Sequence, residues 1–309
     1  MLLTFVYLLA ALLVLARAAE YSIDKAVIVA RYLRIGEMAV GFLLVSVATS
    51  LPEFVVSVTA SANGETGISV GNVLGANISD MCMVVGAAAL AGAMAIRRNA
   101  VLDLVKALFA VAVLSIVVVV FPLGRFAGLL LLLVFALYAF LLLKKRAPER
   151  MDGGRVSGKE ALKAGAIFAA SIAVVVFASN FVINSAVSLA GALGVSQTLI
   201  AGTLISIGTT LPELAVSVAA ARRRHVGLAM GNAVGSCITN LTLVLGAAAI
   251  ITPISTAASS FFVLAIFSLI ANAALWFMLL RGKIGKKEGA VLIGIYLLFL
   301  ASAVLSEIQ

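Results

Sequence analysis

Ser46–Val58 reads SVATSLPEFVVSV, and 160 positions later Ser206–Val218 reads SIGTTLPELAVSV. Eight of these 13 aligned positions are identical, with no gap. At the same offset Gly71–Asp80 (GNVLGANISD) aligns with Gly231–Asn240 (GNAVGSCITN), and Val84–Ala89 (VVGAAA) with Val244–Ala249 (VLGAAA). A fainter match joins Ala18–Val27 to Ala178–Val187. Several matches at one offset mark an internal duplication.

The surroundings of the repeat are strongly apolar. Of 309 residues 63% are hydrophobic and only 11% charged, and mean hydropathy is +1.22. A soluble domain carries about 45–50% apolar and roughly 25% charged residues, so too few charges are present to cover a globular surface. The apolar runs are long rather than alternating, which points to membrane-spanning helices and away from a β-barrel. Ten spans are expected, near residues 2–22, 36–61, 67–95, 100–121, 125–143, 161–189, 196–220, 226–251, 259–280 and 288–306. At ~20 residues per span, little is left for a soluble domain. Ala16-Arg17-Ala18 resembles a signal-peptide cleavage site, but a basic segment ahead of the apolar run is missing, and the end of the run belongs to the repeat. Cys82 and Cys237 both fall inside apolar stretches, so no disulfide framework is implied.

Ten spans and one duplication give five spans per copy. An odd number means that the second copy enters the membrane from the opposite side, the inverted-repeat plan of many transporters, with a site near the midplane between the copies. The expected fold is therefore an all-α membrane protein of ten transmembrane helices in two inverted-topology five-helix repeats. The first occupies 1–143, with its motif region near 36–95; a linker covers 144–160; the second occupies 161–309, with its motif region near 196–251. The net charge of +9 reports topology rather than nucleic-acid binding. Lys25, Arg31 and Arg34, then Arg97 and Arg98, the 144–159 linker, Arg222–Arg224, and Arg281 with Lys283, Lys286 and Lys287 all fall in alternate loops. The positive-inside rule makes those loops cytoplasmic and both termini extracellular, in a multi-pass protein of the cell membrane.

The repeated motifs carry acids where acids are costly. Glu53 and Glu213 lie deep in spans two and seven, and Asp80 in span three. An ionised carboxylate at the bilayer centre costs about 2.5–3.5 kcal/mol even on insertion scales, and marks a functional site by default. No Lys or Arg stands beside these acids in sequence, so they call for protons or bound cations. Thr49, Glu53 and Ser57 recur every four residues and share one helix face, with Ser46 and Ser50 at its edge. Thr209, Glu213 and Ser217 repeat the stripe, flanked by Ser206 and Thr210. Carboxylates with hydroxyls make an all-oxygen environment suited to Ca²⁺, Na⁺ or Mg²⁺. Pro52 and Pro212 remove a helical hydrogen bond just before each glutamate, which is expected to loosen carbonyls around Ser46–Thr49 and Ser206–Thr209. Asn72, Ala76 and Asp80, matched by Asn232, Ser236 and Asn240, form a second polar stripe. Gly71 with Gly75, and Gly231 with Gly235, are spaced to let another helix approach closely.

ATSLPE at Ala48–Glu53 and GTTLPE at Gly208–Glu213, each followed by a GNxxG helix in a ten-span inverted repeat, resemble the α-repeats of the cation/calcium exchanger superfamily, most of all its prokaryotic sodium/calcium exchangers. The resemblance covers nearly the whole chain. It implies that Glu53 and Glu213 bind Ca²⁺ directly, helped by the carbonyls of Thr49 and Thr209. Na⁺ would be shared among Glu53, Glu213, Ser50, Thr210, Ser236 and the carbonyls of Ser46 and Ser206. Asp80 and Asn240 would flank the central site, and spans one and six would slide across the bundle. Two features depart from the family pattern. Ala76 stands where the first repeat carries a serine, and the acid and amide of the Asp80/Asn240 pair are exchanged between the repeats.

The implied activity is Na⁺-driven Ca²⁺ antiport, with H⁺/Ca²⁺ exchange as the alternative. The chain is expected to act as a monomer in the lipid bilayer, with no prosthetic group and no nucleic-acid partner. An intramembrane enzyme is unsupported, since the sole histidine, His225, follows Arg222–Arg224 in a basic loop, and Asn240 takes the place a second aspartate would need. A passive channel would not need paired acids. The topology has a direct check. Cysteine introduced at Ser157, in the linker, is expected to resist an impermeant thiol reagent in intact cells and to react once the membrane is opened.

Overall fold

A computed structural model describes residues 2–92, 94–96, 98–144, 156–192, 206–255 and 261–308. Most of the expected linker, residues 196–205 of span seven, and Gln309 lie outside them. The first helix, α1, runs Leu2–Leu33. It continues past residue 22, where its span was expected to end, and in the added length Asp24 pairs with Arg223 of a distant turn. It packs along α7 (Gly158–Ala192), the matching long helix of the second half.

Span two is two half-helices. α2 (Glu37–Thr49) and α3 (Leu51–Ala62) meet at Ser50 with a 49° bend. Ser50 leaves helical geometry at φ −78°, ψ 11°, and Pro52 then sits in the first turn of α3, where its missing N–H costs nothing. The proline thus starts a new helix rather than kinking an old one. The second half repeats the break at Thr210 (φ −87°, ψ 3°), between α8 (Ser206–Thr209) and α9 (Leu211–Arg222). The turns that follow match as well. Glu65 N–H donates to the Ala60 carbonyl and His225 N–H to that of Ala220, each at 2.9 Å. Gly64 takes this turn at φ 82° and Arg224 at φ 64°, a conformation costing a non-glycine residue about 1–2 kcal/mol.

The motif helices α4 (Thr66–Ala91) and α10 (Val226–Ile251) lie at the centre, and most of their surface is buried. Each contains a π-helical turn, Asp80–Val84 in one and Asn240–Val244 in the other. Around them stand α5 (Arg98–Val120), α6 (Arg125–Lys144), α11 (Phe262–Leu280) and α12 (Lys286–Ile308). Among the described residues six helices are long and apolar enough to cross a membrane, seven if α2 and α3 count as one span.

Contacts across the halves are reciprocal. Gly92, at the end of α4, lies against Ala221 just ahead of the start of α10, so the two central helices run antiparallel. Met94 pairs with Ile284 in a two-stranded ribbon of β1 (Met94–Ala95) and β2 (Lys283–Ile284). Ile254, 160 positions after Met94, pairs with Leu123 through two 2.9 Å hydrogen bonds. Gly86 packs on Gly289, and Gly246 on Gly128.

Polarity is inside out. Phe126, Leu133, Leu137, Phe140 and Leu162 are exposed, while Ser57, Asn77, Ser79, Asn232 and Thr242 are fully buried. The expected glycine contact holds at α10. A Cβ at Gly231 would lie 2.4 Å from the Met38 carbonyl oxygen, and one at Gly235 2.7 Å from the Phe42 Cα. Gly71, its counterpart, has no atom within 4 Å of that position, so there the expected close approach is absent. Gly231→Ala is therefore expected to lower stability by ~1–3 kcal/mol, the cost of overpacking, whereas Gly71→Ala gains helix propensity. Thermal unfolding of the two purified variants checks the contrast.

Candidate cation-binding site

The break at Ser50 places Glu53 in the first turn of α3, and the break at Thr210 does the same for Glu213 in α9. The positive end of a helix favours a carboxylate there. Ser50 would ordinarily cap α3 with its hydroxyl, but no such cap forms. The hydroxyl instead donates across the molecule to Glu213 Oε1 at 3.2 Å. Ser236 Oγ approaches the same oxygen at 3.5 Å.

Asparagines hold the two acidic stripes in register. Asn72 Nδ2 donates to the Glu53 carbonyl (3.2 Å) and to Ser57 Oγ (3.0 Å). Asn232 Nδ2 donates to the Glu213 carbonyl (3.2 Å) and to Ser217 Oγ (2.9 Å). The amide stripe thus meets main chain and serines, leaving the carboxylates free. Asn232 Oδ1 lies 3.2 Å from the Thr49 hydroxyl, which ties α2 to α10. The Thr49 hydroxyl also lies close to the Glu213 carboxylate, as that of Thr209 does to Glu53. Each of these two glutamates therefore has a threonine hydroxyl of the other half nearby.

The remaining residues of the predicted set are placed as follows. Ser46 donates to the Phe42 carbonyl and faces Thr239 at 3.4 Å. Its own carbonyl, expected to be loosened by Pro52, accepts the Ser50 N–H at 2.9 Å. The residue that does lose its helical donor is Ala48, four positions before Pro52. Ser206 is described as helical backbone alone. The Thr210 hydroxyl turns to the Ile207 carbonyl at 3.0 Å. Asp80 and Asn240 open the two π-helical turns and are buried.

Sequence reasoning passed over Asn77. Its amide nitrogen donates to the Cys237 carbonyl (3.3 Å), and its oxygen accepts from Asn240 Nδ2 (3.2 Å). The matching position in the other half is Cys237 itself, so a search for repeated polar residues discards it. Thr239 and its counterpart Ser79 were passed over although both carry hydroxyls, and so was the hydrogen bond from Ser79 to Tyr296 (3.1 Å). Nothing in the chain's local pattern marks that last pair.

What the site lacks is donors. Glu53 Oε1 and Oε2, Asp80 Oδ1 and Oδ2, Glu213 Oε2 and Asn240 Oδ1 are buried without a hydrogen-bond partner. Among the described residues these are all the orphaned buried side-chain oxygens, and they sit on four residues of the repeated motifs. The three carboxyl groups lie close enough to feel one another's charge. No three acidic, histidine or cysteine side chains among the described residues converge closely enough to hold a metal alone. A bound ion would draw on hydroxyls and carbonyls as well, as hard cations with many oxygen ligands do.

The profile of the family described as sodium/calcium exchanger protein matches residues 3–144 and 163–305. The chain belongs to that family. It is 31% identical to the sodium/calcium exchanger MaX1 of Methanosarcina acetivorans over 96% of this chain and 97% of that one. It is 33% identical to the putative antiporter CaxA of Alkalimonas amylolytica, over 95% and 96%. A structure of the sodium-calcium exchanger NCX_Mj, soaked with zero Na⁺ and Ca²⁺, superposes with a TM-score of 0.85 at 25% identity, covering 97% of this chain and 99% of the other. This exchanger-family protein is thus a multi-pass membrane transporter and not an enzyme.

The orphaned oxygens carry a testable consequence without naming an ion. A glutamine at position 53 brings two N–H donors among acceptors that have none and removes one of three mutually repelling charges. Glu53→Gln is expected to stabilise the exchanger in cation-depleted buffer by an amount on the order of 1 kcal/mol, seen as a higher unfolding temperature. Thermal unfolding in a chelator-treated, sodium-free buffer checks it, and a fall would mean that Glu53 is already satisfied.

Proposed function

We propose that this exchanger is a secondary active antiporter moving Ca²⁺ against Na⁺ across the cell membrane by alternating access, at a midplane site built on Glu53 and Glu213. The observation that carries the reading is the cluster of buried acceptor oxygens without donors on Glu53, Asp80, Glu213 and Asn240. Buried acceptors in such number are stabilised by a cation and by little else. The chain's sodium/calcium exchanger relatives suggest the ions. Glu53 and Glu213 bind Ca²⁺ with the carbonyls of Thr49 and Thr209. Ser50, Thr210 and Ser236, with the carbonyls of Ser46 and Ser206, complete the Na⁺ positions, and Asp80 and Asn240 flank the centre. With Ala76 in place of a serine, one Na⁺ ligand of the first half is missing.

The framework for this is ten spans in two inverted five-helix repeats, 1–143 and 161–309, with the linker cytoplasmic and both termini outside. The reciprocal contacts of Met94 with Ile284 and of Ile254 with Leu123 support it, and so do the two separate stretches that match the family profile. The chain works as a monomer, since each half completes the other's site.

Charge arithmetic explains the coupling. With Glu53, Glu213 and Asp80 ionised the site carries −3, which three Na⁺ balance and one Ca²⁺ does not. Competing ions of unequal charge then exclude one another. The same third acid supports a second reading, H⁺/Ca²⁺ exchange, in which Asp80 holds a proton while Ca²⁺ is bound.

Reconstituted vesicles decide between the two. An imposed Na⁺ gradient is expected to drive Ca²⁺ flux at constant pH, and a pH gradient without Na⁺ is not. Glu53→Gln and Glu213→Gln are each expected to abolish that flux in folded protein, because each removes half the strongest countercharge where the effective dielectric is low. Flux surviving in both variants would place the site elsewhere.

A further inference from the structure

A groove of about 610 Å³ runs over the surface where α1, α7 and the tip of α9 meet. Leu13, Val14 and Val174 form its apolar floor, and Arg17, Glu20, Tyr21 and Arg223 its polar rim. Leu13, Arg17, Tyr21 and Lys25 fall every fourth residue on α1 and so share one face, which passes from apolar to cationic within about 18 Å of helix. Lys25 Nζ sits 4.9 Å from the centre of the Tyr21 ring. A tyrosine among cations at the end of an apolar stripe is the composition of a membrane–water boundary. The groove therefore opens sideways to lipid, at headgroup depth.

Its charge is unbalanced. Glu20 Oε2 lies 3.7 Å from Arg17 Nη1 and 3.9 Å from Arg223 Nη2, so one carboxylate oxygen is shared at long range by two guanidinia. Arg223 also bonds Asp24. The Arg17 side chain is nonetheless 86% exposed. The turn that supplies Arg223 adds the exposed Arg222 and Arg224, so this turn and the 13–25 stretch of α1 carry five cations, Arg17, Lys25 and Arg222–Arg224, against two acids, Glu20 and Asp24. Two planar forks flanking one opening, above an apolar floor, match a phosphate with an acyl tail.

We propose that this groove binds one anionic phospholipid of the leaflet facing the basic loops, its phosphate held between the Arg17 and Arg223 guanidinia and an acyl chain laid along Leu13, Val14 and Val174. Bound there, the lipid joins α1 to the turn between α9 and α10. It thereby links one long peripheral helix to an element that carries Glu213. The site is separate from the cation site and does not depend on which ions are exchanged.

Native mass spectrometry of the detergent-purified chain tests this with phosphatidylglycerol and phosphatidylcholine of identical acyl chains. One phosphatidylglycerol is expected to bind ahead of all further lipid, with phosphatidylcholine at least tenfold weaker. Arg17→Gln and Arg223→Gln are each expected to weaken phosphatidylglycerol roughly fivefold, the share of one basic residue near an anionic surface. Arg281→Gln, in another basic loop, is expected to leave it unchanged. Arg17 is so exposed that its variant reports binding even if Arg223→Gln, which loses Asp24, folds poorly. Equal binding of the two lipids, or undiminished phosphatidylglycerol binding by Arg17→Gln, would overturn the proposal. So would displacement by millimolar inorganic phosphate, which would show a free-anion site with no use for the acyl chain.

Discussion

The structure is organised around buried oxygens that no donor satisfies. Ionised or polar acceptors in a low-dielectric interior cost several kcal/mol each when left unpaired, and Glu53, Asp80, Glu213 and Asn240 leave six such atoms together. A chain can keep such a cluster only if the rest of it is over-determined. Here that work falls to Asn72 and Asn232, which clamp the main chain of both glutamates, and to Gly231 and Gly235, which bring α2 into backbone contact with α10. Strain is held at the centre, and close packing around it prevents relaxation.

The cluster also explains why the halves interlock. A helix cannot easily satisfy its own buried glutamate, since the hydroxyls on its face stand above and below the carboxylate rather than in front of it. Donors have to come from a helix facing the other way. Ser50 supplies Glu213 from the first half, and the Thr209 hydroxyl approaches Glu53 from the second. The break at Ser50 makes the first of these possible by placing its hydroxyl at a helix junction, where it turns outward instead of capping its own helix. Neither half holds a complete site.

Much of this was legible in the sequence because duplication filters signal from noise. The paired LPE motifs, the stripes every four residues and the apolar runs each follow from spacing alone. What stayed hidden was whatever the two copies do not share, or whatever depends on where a chain turns. Asn77 faces Asn240 across the centre but aligns with Cys237. Pro52 read as loosening carbonyls within a continuous helix, whereas it stands in the first turn of a new one, since the break had already happened at Ser50. The end of α1 was set too early at its charged residues. Charges there side with an arginine of a distant loop, Arg223 on Asp24, and a pairing nearly 200 positions away leaves no local trace.

The departures from symmetry fall together, on one side of the site. Ser236 reaches Glu213, while the matching Ala76 has no hydroxyl to offer Glu53. Ser50 donates to Glu213, while Thr210 turns to the main chain at Ile207 and gives Glu53 nothing. One oxygen of Glu213 therefore receives two hydroxyls, whereas both oxygens of Glu53 are left without a hydrogen bond. The first half also carries the acid of the Asp80/Asn240 pair, and both Asp80 oxygens are unpartnered too. The two glutamates are equivalent by sequence and unequal by environment. The demand for a countercharge is concentrated on the acids of the first half, while the hydrogen bonds that both halves supply converge on Glu213.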